Sequence, residues 1–168
     1  MRKPVSRMLE ALLWALALAM TTTACAEQEE LNDIEDIATS YFNALYAQDF
    51  DRVAELTAPD VLFDDPTSPP GFIPTTENRD DLIEAYRQSL PLLDQEMKII
   101  RSFASHDKVV LYVTIEGTTI GEFFGHEAKR VAYETEGIAV IQVVDGVVVH
   151  HSDYMDYPAT FAGLRPVE

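Results

Sequence analysis

The sequence predicts an α+β fold in which helices come first and an antiparallel sheet follows. Two observations support this prediction. Apolar residues recur at three- and four-residue steps in the first half of the chain, and they alternate in strand-like runs after Pro91. The turn pair Asp145-Gly146 separates the last two runs and indicates a hairpin. This order is typical of helices packed as a layer on one sheet.

The predicted helices all lie before Pro91. The first has an apolar stripe from Leu31 to Leu45, with Asn32 and Glu35 as its expected capping box. The other two are expected at about Phe50–Leu56 and Arg79–Leu90.

The strand that precedes Pro66 ends in two acids, Asp64 and Asp65. Alternation places Phe63 and Asp65 on the same face of this strand. The following loop, residues 67–77, is rich in proline and is expected to lie over a site. The remaining strands are predicted at about Glu96–Ala104, Lys108–Gly117, Arg130–Val144 and Val147–Tyr154.

Several predicted strands are apolar on both faces. Val109 and Leu111, for example, alternate with Val110 and Tyr112. One face can pack on the helices, whereas the other needs a different cover. We therefore expect a homodimer that forms through the sheet, because exposed apolar patches usually mark interfaces.

The composition indicates one folded domain and excludes some partners. The chain has 168 residues, of which 47% are hydrophobic, enough for a single core. Its 29 acidic residues outnumber 12 basic ones, giving a net charge of −17. Such a charge repels phosphate backbones, so no nucleic-acid partner is expected.

The N-terminus has the pattern of an export signal over residues 1–25. A basic start is followed by the apolar run Leu12–Met20, which is shorter than the ~20 residues that cross a bilayer. Two cleavage sites remain open. Cleavage after Ala26 releases a periplasmic protein, whereas Cys25 resembles the lipidated residue of bacterial lipoproteins and would anchor the chain at the cell envelope. Residues 26–33 are expected to be a linker.

One face of the last strand carries polar groups. Val147, Val149, His151 and Asp153 share this face by alternation, and we expect Asp153 and Asp65 to meet in a common pocket. A buried carboxylate suits a proton shuttle near neutral pH. His150 points to the opposite face from His151, so the two cannot chelate one metal together. We therefore expect no metal and no cofactor.

Three stretches of the sequence resemble one family: "SYFNALYAQDFDRVAELTAPDVLFDDP" (Ser40–Pro66), "EGTTIGEFFG" (Glu116–Gly125) and "VVDGVVVHHSDYMDY" (Val143–Tyr157). Residues 34–164 resemble the SnoaL-like domains of the nuclear transport factor 2-like superfamily, which includes polyketide cyclases, ketosteroid isomerases and limonene epoxide hydrolase. The resemblance implies a cone-shaped, curved antiparallel sheet packed on three N-terminal helices, a cystatin-like α+β barrel with a deep pocket.

The resemblance also implies roles for individual residues. Tyr41 matches an oxyanion hydrogen-bond donor and Asp65 a proton-shuttling aspartate of the isomerases. Asp153 matches the acid/base of the cyclases, and Glu116 matches an acid of the epoxide hydrolase. The sequence departs from both patterns elsewhere. Ala139 replaces the third isomerase group, and Thr114 replaces the arginine of the hydrolase.

These observations predict an exported domain that binds a small apolar molecule. It is a possible cofactor-free isomerase, cyclase or hydratase with Asp153, Asp65 and Tyr41 as catalytic residues. The expected ligand-binding residues are Phe63, Tyr86, Tyr112, Glu116 and His151. The alternative, a non-catalytic ligand-binding or assembly domain at the cell envelope, remains open.

Overall fold

The structure is a computed structural model that describes residues 29–167. The predicted export signal and the candidate lipidation site Cys25 lie outside the described residues. Within residues 29–167, no helix has both the length and the apolar character needed to cross a membrane.

The helices lie close to their predicted positions. Helix α1 is described over residues 29–46, so residues 29–33 of the predicted linker are helical and Asn32 lies inside α1 instead of capping it. Helices α2 and α3 begin after the capping residues Asp49 and Asn78, whose side chains accept backbone hydrogen bonds. A fourth short helix was not predicted. The later helices are α2 (Phe50–Leu56), α3 (Arg79–Ser89) and α4 (Tyr157–Ala162).

Six strands form one sheet in the order β1-β5-β4-β3-β2, with β6 paired to β4. They are β1 (Thr57–Asp64), β2 (Leu93–Ser105), β3 (Lys108–Ile120), β4 (Arg130–Val144), β5 (Val147–Met155) and β6 (Arg165–Pro166). Single 3₁₀ turns lie at Leu90–Leu92 and Gly121–Phe124.

The sheet is curved and open, and it is mixed where an antiparallel sheet was predicted. Strands β2 to β5 are antiparallel, as expected, but β1 pairs with β5 in parallel. A parallel pair needs a long connection. Here the whole chain from α3 to β4 lies between β1 and β5, so β1 is free to take this direction.

The core lies between the helices and one face of the sheet, called here the inner face. Tyr41, Phe42 and Leu45 of α1 are fully buried there, with Leu111 of β3 and Ile141 of β4. The stripe predicted for α1 is therefore the side that packs on the sheet.

A register shift between β4 and β5 corrects one sequence prediction. Gln142 pairs with His150 but Val143 pairs with Val148, so Val149 is an extra residue in β5. Such a bulge moves the residues before it to the opposite face. Val148 is consequently fully buried, and Val147 and Val149 do not share the face of His151 as predicted.

Candidate functional site

A cavity of about 370 Å³ lies between the helices and the inner face of the sheet. Eight of its lining residues are aromatic: Tyr46, Phe63, Phe72, Tyr86, Phe123, Phe124, Tyr133 and Tyr157. Among the described lining residues, the charged ones are Asp65 and Asp153, and no lysine, arginine or histidine is present. The cavity is therefore apolar and aromatic, with acidic groups as its charges.

Each element contributes a different part of the lining. Phe63 comes from β1 and Asp153 from β5, while Tyr46 and Tyr86 come from α1 and α3. Phe72, in the proline-rich loop, contacts Phe123 and Phe124 of the 3₁₀ turn at ring-centroid distances of 5.3 and 5.9 Å. The loop thus lies over the cavity, as predicted, and closes it with aromatic side chains.

A chain of buried hydrogen bonds leads to Asp153. The Tyr41 hydroxyl oxygen is 3.0 Å from His151 Nδ1, and His151 Nε2 is 2.9 Å from Asp153 Oδ1. Tyr41 and His151 are fully buried, and Asp153 is 5% exposed. His151 and Asp153 share a face because they are two residues apart on β5.

The polar hydrogens indicate the direction of this chain. If the Tyr41 hydroxyl donates to Nδ1, then Nε2 carries the imidazole hydrogen and donates to Asp153, so each hydrogen has an acceptor. A doubly protonated His151 would use both ring nitrogens as donors and leave the Tyr41 hydrogen without a partner, at a cost in a fully buried site. His151 thus holds Oδ1 of Asp153, whose side chain lines the cavity.

Asp65 also lines the cavity, but both of its oxygens are engaged. Oδ1 accepts from the Thr67 backbone amide at 3.0 Å and from the Thr67 hydroxyl at 2.7 Å. Oδ2 accepts from the Tyr157 hydroxyl at 2.5 Å. Burial, reinforced by this bond to Asp65, raises the pKa of Tyr157, so Tyr157 remains the donor. Asp65 and Asp153 both line this cavity, but both oxygens of Asp65 are already held by Thr67 and Tyr157.

Two tyrosines offer unpaired hydroxyls to the cavity. Within the described residues, the hydroxyls of Tyr46 and Tyr86 make no hydrogen bond. Burial raises the pKa of each well above its ordinary value, and the charge of Asp153 raises it further. Both groups are therefore neutral donors. A third unpaired group, the buried Thr135 hydroxyl, belongs to the same lining.

Tyr46 was missed by the sequence analysis, although its position carried a signal. It follows Phe42 by one helical turn, and the two rings are 4.9 Å apart. Extending the predicted α1 stripe by one residue would have included it.

The structure places some of the other predicted site residues in the cavity and others outside it. Phe63 and Tyr86 line the cavity, whereas Tyr41 and His151 lie behind Asp153 and do not. Their bond to each other occupies the groups that were expected to contact a ligand.

Tyr112 and Glu116 lie on the outer face of the sheet, which corrects their assignment as ligand-binding residues. The Tyr112 hydroxyl donates to Glu136, and Glu116 pairs with Lys98 at 3.2 Å with 61% of its side chain exposed. The reason is alternation along β3, since the neighbouring Leu111 and Ile115 face inward.

His150 lies on the outer face beside Asp64 and Ser152, opposite to His151 as predicted. Residues 29–167 contain no group of three or more histidine, cysteine, aspartate or glutamate side chains arranged to hold a metal ion.

Several solved structures share this fold at low sequence identity. An LEH-like epoxide hydrolase from M. tuberculosis is 21% identical, with a TM-score of 0.63 over 80% of this chain and 90% of that one. A protein assigned as a SnoaL-like polyketide cyclase from Shewanella putrefaciens is 18% identical, with a TM-score of 0.67 over 77% and 93%. One assigned as a ketosteroid isomerase from Kribbella flavida is 20% identical, with a TM-score of 0.57 over 75% and 79%.

No functionally curated protein matches the chain. The profile of the SnoaL-like domain matches residues 38–151, which run from α1 through the first part of β5. The order of elements, the cavity between helices and sheet, and this match agree with one another. The chain belongs to the SnoaL-like domain family.

Proposed function

We propose that the cavity binds a small, mainly apolar molecule and that Asp153 removes a proton from it. A cofactor-free isomerisation or cyclisation would begin with such a step, whereas in a hydration the same carboxylate would take the proton from the attacking water. The observation that carries this proposal is the hydrogen-bond chain from Tyr41 through His151 to Asp153, which holds a carboxylate in an aromatic cavity. The relatives assigned as a cyclase, an isomerase and an epoxide hydrolase support the same class of chemistry.

Asp153 is the base in this proposal, and His151 is its positioning residue. Oδ1 is held by His151, so Oδ2 is the oxygen available to a ligand. When a proton leaves a carbon beside a carbonyl group, negative charge develops on the carbonyl oxygen and is stabilised by nearby hydrogen-bond donors. Tyr46 and Tyr86 have free hydroxyls in the lining of the cavity. In this proposal they are the hydrogen-bond donors to the carbonyl oxygen, the role that the sequence analysis gave to Tyr41.

Hydrogen exchange tests the proposed proton transfer. We expect the protein to exchange hydrogens beside the carbonyl group of small apolar ketones that bind the cavity, as followed by NMR in D₂O. Replacing a general base typically lowers such rates about 10²- to 10⁴-fold, so Asp153→Asn should lose nearly all exchange.

The matched control is Glu134→Gln, which removes an exposed carboxylate from the outer face of β4. Its exchange rate should equal that of the wild-type protein. Ketones that bind without exchanging hydrogens in the wild-type protein would contradict proton transfer. They would favour the second candidate, a binding domain without catalysis, for which the engagement of both Asp65 oxygens is the supporting observation.

We also propose that two copies of the chain pair through the outer face. Phe103, Ile138 and Tyr154 are 59%, 37% and 39% exposed there. Ile138 is the register partner of both Tyr112 and Tyr154, so these side chains form a continuous row across β3, β4 and β5. Contiguous apolar surface of this kind is typical of interfaces.

Light scattering at micromolar concentration tests the pairing. We expect a dimer for the wild-type protein and a monomer for Ile138→Asp, because a carboxylate at the centre of the row would be buried without a partner. Ile120→Asp, at the far end of β3, should remain dimeric. A monomeric wild-type protein would remove the proposal.

Export to the cell envelope completes the proposed function. The basic and then apolar N-terminus supports it, with either a periplasmic form or lipid attachment at Cys25.

A further inference from the structure

The charge of the cavity is not balanced by the protein. Asp153 Oδ1 accepts a hydrogen bond from His151, whereas no described residue donates to Oδ2. No basic side chain is among the described lining residues. His151, the nearest group able to carry a positive charge, remains neutral if the Tyr41 hydroxyl donates to it.

A carboxylate without a neighbouring cation costs free energy in this apolar cavity, because apolar walls replace the water that would otherwise solvate it. The raised pKa values of Tyr46 and Tyr86 have the charge of Asp153 as their second cause after burial, so this charge acts on the same part of the lining. The net charge of −17 for the whole chain adds a field that attracts cations.

Aromatic rings line the same cavity as Asp153, and one of them lies beside His151. The Phe63 ring is 5.1 Å from the His151 ring and 5.6 Å from the Tyr86 ring, and the Tyr86 ring is 6.5 Å from that of Tyr46. These rings attract a cation that comes to lie against their faces. The site thus combines an unpaired anion with rings that suit an organic cation.

We infer that the cavity takes a protonated organic amine. Its N–H donates to Asp153 Oδ2, and its apolar part fills the volume of about 370 Å³. Carboxylates and phosphates are excluded, since they would be placed beside Asp153 with no balancing cation. The inference rests on the proposed function in one respect, that the cavity is a ligand site, and does not require Asp153 to remove a proton from carbon.

Three probes of similar size test the charge class: N,N-dimethylbenzylamine as the cation, N,N-dimethylbenzamide as the neutral carbonyl compound and phenylacetate as the anion. By titration calorimetry at neutral pH, we expect the amine to bind about tenfold or more tightly than the amide, and phenylacetate most weakly. Asp153→Asn should lower the affinity for the amine to that for the amide. Glu134→Gln is the matched control and should change neither affinity.

A second measurement uses the wild-type protein alone, in case Asp153→Asn does not fold. Raising the pH until the amine loses its own proton should remove its advantage over the amide. An amide that binds as well as the amine would overturn this inference and leave the proposed proton transfer intact. Failure of all three probes to bind would also overturn this inference, whereas the proposed proton transfer is decided separately by the hydrogen exchange of ketones.

Discussion

Replacing His151 with leucine is expected to destabilise the protein by about 2–5 kcal/mol, because each buried polar group left without its hydrogen-bond partner costs about 1–3 kcal/mol, and more when the group is charged. Asp153 would lose the hydrogen bond at Oδ1 while remaining 5% exposed. Tyr41 would lose the acceptor for its hydroxyl in a fully buried site. Urea unfolding followed by circular dichroism measures the change.

His150→Leu is the matched control, because His150 is the neighbouring residue on the opposite face. Its ring nitrogen is 3.3 Å from Asp64 with the two side chains 34% and 31% exposed, so we expect a loss of at most about 1 kcal/mol. The double variant His151→Leu/Asp153→Leu should be more stable than the sum of the single changes predicts, since the carboxylate is no longer left unpaired. Equal losses for His151→Leu and His150→Leu would show that the buried chain has no special role.

Replacing Gly121 with alanine is expected to cost about 3 kcal/mol, the upper part of the usual range for overpacking. A Cβ atom there would lie 1.8 Å from the Ala128 carbonyl oxygen and 2.7 Å from that of His126. These are backbone atoms, and Gly121 itself bonds to this segment by donating to the Lys129 carbonyl at 3.1 Å. Residues 126–129 must therefore move together to make room for the added methyl group.

The movement should reach the cavity, because the 3₁₀ turn that starts at Gly121 carries Phe123 and Phe124. We expect Gly121→Ala to weaken binding of any cavity ligand as well as to lower the midpoint of urea unfolding. Gly125→Ala is the control within the same turn. Gly125 has φ +67° with nothing within 4 Å of its Cβ position, so its variant meets backbone strain of only about 1–2 kcal/mol and no clash. A smaller loss of stability for Gly121→Ala than for Gly125→Ala would contradict the prediction.

Local periodicity was a good guide to the faces of the elements. The stripe on α1 is the buried side, and the two-residue spacing of His151 and Asp153 correctly placed them on one face. The same rule would have placed Tyr112 and Glu116 outside, given that Leu111 and Ile115 face inward. Glu116 was assigned to the ligand site because it matches an acid of the epoxide hydrolase, but the alternation of β3 places both Glu116 and Tyr112 on the face opposite to Leu111 and Ile115.

The β5 bulge shows a limit of the same rule. Alternation predicted one face for Val147, Val149, His151 and Asp153, but the extra residue at Val149 reverses the face before it. A bulge arises from the pairing of two strands, so the pattern of one strand does not reveal it.

The sequence by itself determined the class of fold, the order of the elements, the family, and the presence of two acids on inward-facing positions. Only the tertiary structure decided which acid is available to a ligand. Tyr41 and His151 are 110 positions apart, and Asp65 and Tyr157 are 92 apart. Hydrogen bonds between such distant residues depend on how the helices and the sheet pack. They leave Oδ2 of Asp153 free and occupy both oxygens of Asp65, a difference that neither local pattern contains.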